Sequence, residues 1–216
     1  MSRLIERTAM RVSRRQLLCL GMALPALTIA GCQLPGSGPP PREFRVTHKS
    51  TFPQDLPNVD WSLVVERPKA NRSVDTPRIA RTSGVEIEYY AGATWIDRPP
   101  VMIEPLIIQS FRSSGAINVV ADRRSDVRPD FLLQTDLTTF EAMHAASGPP
   151  DVRVAMSATL IRMPRREVVG TTAIERTVTA QASDVESVAV AFDDALGDVL
   201  KRLVEWTLRT GEAAYT

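Results

Sequence analysis

The last quarter of the chain carries a single apolar stripe that any fold must bury. Its members lie three or four residues apart, the spacing of one face of an α-helix. They are Val185, Val188, Phe192, Leu196, Val199, Leu203 and Trp206. Ser183 and Glu186 have the spacing of a capping box at its start, and Gly211 follows where a helix would end. The pattern predicts a helix of about 27 residues, roughly 40 Å long, with one face against a sheet.

Several segments have the composition and alternation of β-strands. They are Glu43–Thr47, Trp61–Glu66, Val85–Tyr90, Ile117–Ala121, Phe131–Phe140, Val152–Arg162 and Val168–Thr179. The stretch Val74–Ala80 is expected to form a turn and then a short edge strand. No helix separates the last three strands, so hairpins and antiparallel pairing are expected there.

A second helix is expected between the strands. Asp97 is its predicted N-cap, Pro99 and Pro100 fit the first turn, and Gly115 should end it after Ser114. Apolar residues cover most of its circumference, so we expect burial on more than one side. The elements together predict an α+β two-layer sandwich, with two helices on one face of a mixed, mostly antiparallel sheet.

Residues 1–31 have the pattern of a secretory signal peptide, with five arginines before the apolar run Leu17–Ala30. That run is too short for a transmembrane helix. It ends in Ile29-Ala30-Gly31-Cys32, which resembles the bacterial lipobox. The resemblance predicts that Cys32 carries diacylglycerol, with palmitate among the acyl chains. The alternative is that Cys32 is an ordinary thiol beside a conventional cleavage site. Gln33 in place of Asp favours the outer membrane over the inner one.

The export route has two readings. Ser13-Arg14-Arg15-Gln16-Leu17-Leu18 resembles a twin-arginine signal, but paired arginines also occur in ordinary leaders. Cys19 leaves with the signal, so Cys32 has no intrachain disulfide partner. Residues 32–42 are predicted to be the lipidated cysteine and a flexible linker rich in proline and glycine, and residues 43–216 are predicted to be the folded domain.

The charge and the reactive residues exclude several functional classes. The chain after the signal peptide has 21 Lys and Arg residues and 24 Asp and Glu residues, so it is slightly acidic. Nucleic-acid binding needs clustered positive charge, and we therefore predict no nucleic-acid partner. The only histidines are His48 and His144, and no motif of a hydrolase, zinc site or phosphate loop occurs. We therefore expect no catalytic residues, no cofactor and no metal. Four pairs of like-charged residues are weighed as sites, and for each we favour an ordinary solvated surface. Glu86 with Glu88 could be paired carboxylates, and Asp193 with Asp194 a metal site. Arg123-Arg124 and Arg165-Arg166 could form a patch for acidic lipid.

The segment from Tyr89 to Pro99 is the most conspicuous part of the remaining sequence. Adjacent tyrosines in a strand face opposite sides of a sheet, so one can enter the core while the other stays near the surface. In one reading Tyr89 and Trp95 are core anchors and Gly92 is a bulge or turn. In the other, the outward aromatic residues form a protein interface, where Tyr and Trp are enriched.

A series of motifs in the mature chain resembles the ABC-type transport auxiliary lipoproteins, the paraquat-inducible protein C-like group. The motifs are Asp75-Thr76-Pro77-Arg78-Ile79-Ala80, Tyr89-Tyr90-Ala91-Gly92-Ala93 with Trp95 and Arg98-Pro99, Leu133-Gln134-Thr135-Asp136-Leu137, and the helix around Ala191-Phe192-Asp193. The resemblance extends from about Glu43 to Trp206. It implies a fold like the N-terminal domain of TolB and a non-catalytic lipoprotein on the periplasmic face of the outer membrane.

The resemblance also implies partners. They are a periplasmic MCE-domain protein and the inner-membrane permease and ATPase that serve it in lipid transport. We expect Tyr90, Trp95 and Arg98 to contact the MCE protein, and a homo-oligomer is left open. Two alternatives remain: an adaptor of cell-wall synthesis or outer-membrane assembly, and a lipid-anchored hydrolase that would use His144.

Overall fold

The computed structural model describes residues 39–144 and 147–215. The predicted signal peptide, the lipidation site Cys32 and most of the linker lie outside these residues. The strands are β1 (Arg42–Phe44), β2 (Val59–Val65), β3 (Lys69–Ala70), β4 (Arg78–Ser83), β5 (Glu86–Trp95), β6 (Ile117–Asp122), β7 (Phe131–Met143), β8 (Asp151–Arg162) and β9 (Glu167–Thr179); the helices are α1 (Pro99–Ser114) and α2 (Val185–Tyr215).

Strand β7 organises the sheet. One of its edges pairs along its whole length with β8, which pairs in turn with β9, and both ladders are antiparallel. Its other edge pairs with β2, β3 and β4 in succession, all parallel to it. Outside these, β6 pairs with β2, β5 with β4, and β1 with β5. The long ladders are antiparallel and the short ones mostly parallel, which confirms the mixed sheet and its C-terminal hairpins.

One strand prediction is wrong. The short strand after Val74 was expected at a sheet edge, but β4 lies between β5 and β7. Its ladder to β7 consists only of Arg81 opposite Ala142 and Thr82 opposite Met143. A polar strand can occupy this inner position because it meets β7 only at the last two residues of that strand.

Helix α1 is buried on several sides and ends at Gly115 in the left-handed conformation (φ 67°), both as predicted. The prediction of Asp97 as its N-cap is wrong by one residue, since Arg98 holds that position and makes no side-chain capping hydrogen bond. The Asp97 carboxylate instead accepts a hydrogen bond from the Arg98 amide at 2.7 Å. Two prolines at the start of the helix leave fewer free amide groups for an N-cap to satisfy.

Helix α2 buries the predicted stripe, but both of its ends differ from the prediction. Asp184, one residue after Ser183, accepts the Ser187 amide at 2.9 Å, and the hydrogen bonds from Ser187 hold the pKa of Asp184 below its usual range. Gly211 lies inside the helix, which continues to Tyr215. A Cβ on Gly211 would lie 2.5 Å from Cζ2 of the buried Trp61, so close packing explains this glycine.

The main core lies between the helices and one face of the sheet. A smaller cluster of Val64, Leu132 and Ile161 lies on the opposite face, because each of these residues alternates with core residues along its strand. Within the described residues, no helix is both long enough and apolar enough to cross a membrane.

The two ends of the sheet are defined by β7. At the Met143 end, β9 finishes, α2 begins, and Arg42 forms an ion pair with Glu186 of α2. At the Phe131 end, the ring of Tyr215, the last residue of α2, lies 6.3 Å from the ring of Phe131. Helix α2 therefore spans the domain, and its 31 residues correspond to about 46 Å.

Candidate partner-docking surface

A bulge in β5 decides where the conspicuous aromatic residues point. Arg78 of β4 lies opposite Thr94, but Ala80 lies opposite Tyr89, so β5 has the longer path between these pairs. Gly92 within the bulge has φ 67°, a conformation that glycine adopts without a steric penalty. The bulge changes the alternation, and Tyr90 and Trp95, five residues apart, both pack toward the main core.

Trp95 is a core residue, so the prediction that it contacts a partner is wrong. Its side chain is 2% exposed. Its ring packs edge-on against Phe192 of α2 at 5.1 Å and lies 5.3 Å from the ring of Phe140 in β7. The alternative reading of Trp95 as a core anchor is the one that the structure shows.

Tyr90 occupies the margin between core and surface. Its hydroxyl lies 2.7 Å from Nε2 of His144, and the guanidinium of Arg81 lies 5.8 Å from its ring centre. Burial raises the pKa of Tyr90 to about 12. The neighbouring Tyr89 is not the core anchor that one reading proposed, because it lies on the opposite face of β5, 3.7 Å beneath the guanidinium of Arg78.

Arg98 lies at the start of α1, where its side chain is half exposed. The guanidinium is 3.4 Å from the carboxylate of Asp75, in the loop before β4. This ion pair joins two of the motifs singled out in the sequence. The guanidinium remains open to solvent on one side, and the contact role of Arg98 stays a prediction.

Exposed apolar side chains mark the tip of the β4–β5 hairpin. Val85 is fully exposed and Ile87 is 46% exposed. The alternation in this strand was expected to place one face on the core. The tip of the hairpin instead extends past Met143, where β7 stops, and residues 83–87 are exposed on both of its faces. The sequence gives no sign of this, because strand periodicity does not report how far a neighbouring strand extends.

A depression of about 210 Å³ beside this hairpin tests the hydrolase alternative, since it brings together Ser83, Glu88 and His144. Glu88 pairs with Arg81 at 2.5 Å, and Nε2 of His144 faces the Tyr90 hydroxyl. No hydrogen bond joins Ser83 to His144 in the described part of the chain. The three residues therefore do not form the nucleophile–base pair that acyl transfer requires.

Asp193, Arg123 and Arg124, from two of the other candidate pairs, have structural partners. Asp193 accepts hydrogen bonds from the amide and the hydroxyl of Thr47, which ties the entering chain to α2. Arg123 pairs with Glu66, and Arg124 pairs with Asp122 at 2.8 Å. Among residues 39–144 and 147–215, no group of three His, Cys, Asp or Glu side chains could hold a metal ion.

Residues 46–204 match the model of a protein family described as the ABC-type transport auxiliary lipoprotein component. The crystal structure of protein XCC0632 from Xanthomonas campestris is similar, with a TM-score of 0.76 and 31% identity over 80% of this chain and 98% of that one. The crystal structure of an uncharacterized protein shares the fold, with a TM-score of 0.61 and 9% identity over 77% of this chain and 97% of that one.

A curated relative is also similar in sequence. The uncharacterized protein bll6063 from Bradyrhizobium diazoefficiens is 24% identical over 186 residues. The match covers 83% of this chain and 49% of the relative, so the chain spans about half the length of the curated relative that it matches.

Proposed function

We propose a function for this chain from one premise: it belongs to the family of ABC-type transport auxiliary lipoprotein components. In this proposal it is the non-catalytic auxiliary component of an MCE/ABC-type system that moves lipid between membranes. It is held at the periplasmic face of the outer membrane by acyl chains on Cys32. Its folded domain docks the MCE-domain protein, which is served by an inner-membrane permease and ATPase.

The observation that carries the proposal is the extent of the family match. It begins before β2 and ends within α2, so it includes α1, the larger part of α2 and the sheet strands from β2 to β9. The same chain has the sequence Ile29-Ala30-Gly31-Cys32 ahead of this domain, with Gln33 after the cysteine. A family of lipoproteins that assist transporters needs both parts: an anchor and a domain that binds the transporter.

The linker supports a docking role on physical grounds. Residues 33–42 are rich in proline and glycine, and about ten such residues can reach about 30 Å in an extended conformation. A tether of this kind raises the effective concentration of the domain near a partner at the same membrane. A weak interface is then sufficient for occupancy.

The anchor is tested by metabolic labelling with palmitate and by membrane fractionation. We expect label in the wild-type protein, in the outer-membrane fraction, and no label in Cys32→Ala. Label in the inner-membrane fraction would overturn the outer-membrane assignment alone. Unlabelled wild-type protein would overturn the anchor.

Tyr90 and Arg98 are the contacts that we propose for the MCE-domain protein. Tyr90→Ala and Arg98→Ala should each weaken binding of the full-length protein roughly fivefold or more, the effect of about 1 kcal/mol. Tyr215→Ala and Arg202→Ala are matched controls, because both residues are exposed on α2. Folded Tyr90→Ala and Arg98→Ala proteins that bind as tightly as wild type would show that these contacts are wrong.

A further inference from the structure

The face of the sheet opposite the helices carries a pocket rimmed by arginine. Its volume is about 250 Å³, and Val64, Leu132, Val127 and Met163 supply its apolar part. Arg123 and Arg166 also line it. We call this site the arginine-rimmed pocket. It lies at the Phe131 end of the sheet, because Leu132 is the second residue of β7 and Met163 directly follows the last residue of β8.

The pocket brings together one arginine from each of two pairs that are far apart in sequence. Arg123-Arg124 lies in the loop between β6 and β7, and Arg165-Arg166 lies in the turn between β8 and β9. The two segments meet because Leu132 pairs with Ile161 and the Met163 amide donates to the Asp130 carbonyl at 2.8 Å. The sequence alone indicated two separate solvated turns.

The two rim arginines differ in how they are held. Arg123 pairs with Glu66, which also accepts a hydrogen bond from Gln134 at 2.8 Å. Arg166 makes no hydrogen bond or ion pair within the described part of the chain. Its backbone has φ 58°, a left-handed conformation that is uncommon for residues other than glycine, asparagine and aspartate. The short turn between β8 and β9 accounts for this conformation.

The chemistry of the lining restricts the occupant. The side chains that line the pocket include two guanidinium groups and no carboxylate, around an apolar floor. The volume of about 250 Å³ lies below the roughly 300–1,000 Å³ of pockets that enclose a drug-sized ligand. This is room for one or two side chains and too little for a whole phospholipid. The lining therefore fits an apolar side chain that is adjacent to a carboxylate.

We propose that the arginine-rimmed pocket binds an acidic polypeptide segment of the transport partner, with an apolar side chain on the floor and a neighbouring carboxylate against Arg166. This inference rests on the proposed function and names a contact surface for it. Guanidinium groups suit this role, since they bind carboxylates through two parallel hydrogen bonds.

The pocket and the point where the described chain enters the domain lie at opposite ends of the sheet. The chain enters the domain at the Met143 end, where Arg42 pairs with Glu186. The pocket lies at the Phe131 end, and α2, whose 31 residues correspond to about 46 Å, runs between the two ends.

The test places a photo-crosslinking amino acid at Ser125, which lines the pocket, in the full-length protein in its native membranes. Arg166→Asp is the test variant and Arg165→Asp is its matched control, since both make the same change of charge. Aspartate tolerates the left-handed backbone at residue 166, so the test variant should fold. We expect a crosslink to a protein segment that contains Asp or Glu next to an apolar residue. Its yield should fall roughly fivefold in Arg166→Asp and stay near wild type in Arg165→Asp.

Each other outcome separates this inference from the proposed function. A lipid adduct, a crosslinked segment without an acidic residue, or equal losses in both variants would overturn the pocket assignment. Absence of a crosslink while the MCE-domain protein still copurifies would also overturn it and leave the proposed function standing. An acidic segment that belongs to a cell-wall synthase or an outer-membrane barrel would support the pocket and overturn the transport role.

Discussion

Replacing Trp95 by alanine distinguishes a core residue from a contact residue. The side chain is 2% exposed and packs against two aromatic rings, Phe140 in β7 and Phe192 in α2. Truncating a buried tryptophan typically costs about 3–5 kcal/mol, from the lost burial and the cavity that is left. Against a typical stability of about 5–15 kcal/mol, this is a large fraction.

The measurement is urea unfolding followed by the fluorescence of the two remaining tryptophans. With a slope of about 2 kcal/mol per molar urea, a loss of about 4 kcal/mol lowers the midpoint by about 2 M. The neighbouring Ile96 is 54% exposed, and Ile96→Ala should change stability by less than about 0.5 kcal/mol. A Trp95→Ala protein that unfolds at the wild-type midpoint but no longer binds its partner would refute the core assignment.

Three further predictions follow from local geometry. Gly211→Ala should destabilise the protein by about 1–3 kcal/mol in urea unfolding, since the buried ring of Trp61 cannot move aside. Gly197→Ala is the control, because its Cβ would meet nothing closer than 3.9 Å, and it should stabilise α2 by about 0.5–1 kcal/mol. If Gly211→Ala and Gly197→Ala changed the stability in the same direction, the packing described for α2 would be wrong. Asp184→Ala should lower the melting temperature at pH 7. The pKa of Asp184 in the folded state lies below the ordinary value of 3.8, so the difference in melting temperature should fade as the pH falls through that lowered pKa. A difference in melting temperature that does not depend on pH would contradict the role of Asp184 as the helix cap. In alkaline absorbance titration, one tyrosine should ionise near pH 12 in the wild type, and the Tyr90→Phe protein should lack this step; its persistence would mean that another tyrosine is the buried one.

The sequence predicted the helices and most strands because their signals are local. Side-chain spacing identifies the buried face of α2 whatever it packs on. The same reasoning placed the end of that helix at Gly211, where the real cause of the glycine is the ring of Trp61 in β2. A glycine that ends a helix and one that allows close packing look the same in a sequence.

The candidate site was harder to predict because it depends on pairing between strands. A single bulge at Gly92 places Tyr90 and Trp95 on the same side of β5, against the alternation that the sequence suggests. The arginine-rimmed pocket depends on the register of β7 with β8, which brings Arg123 and Arg166 together. Neither contact leaves a local pattern in the chain.

The central claim is that this lipoprotein serves an MCE/ABC-type transport system. It is tested most directly by mild crosslinking in native membranes, pull-down of the tagged full-length protein and mass spectrometry of the proteins attached to it. The account predicts recovery of an MCE-domain protein together with its permease and ATPase. Recovery of a cell-wall synthase or an outer-membrane barrel, without any MCE-domain protein, would contradict it.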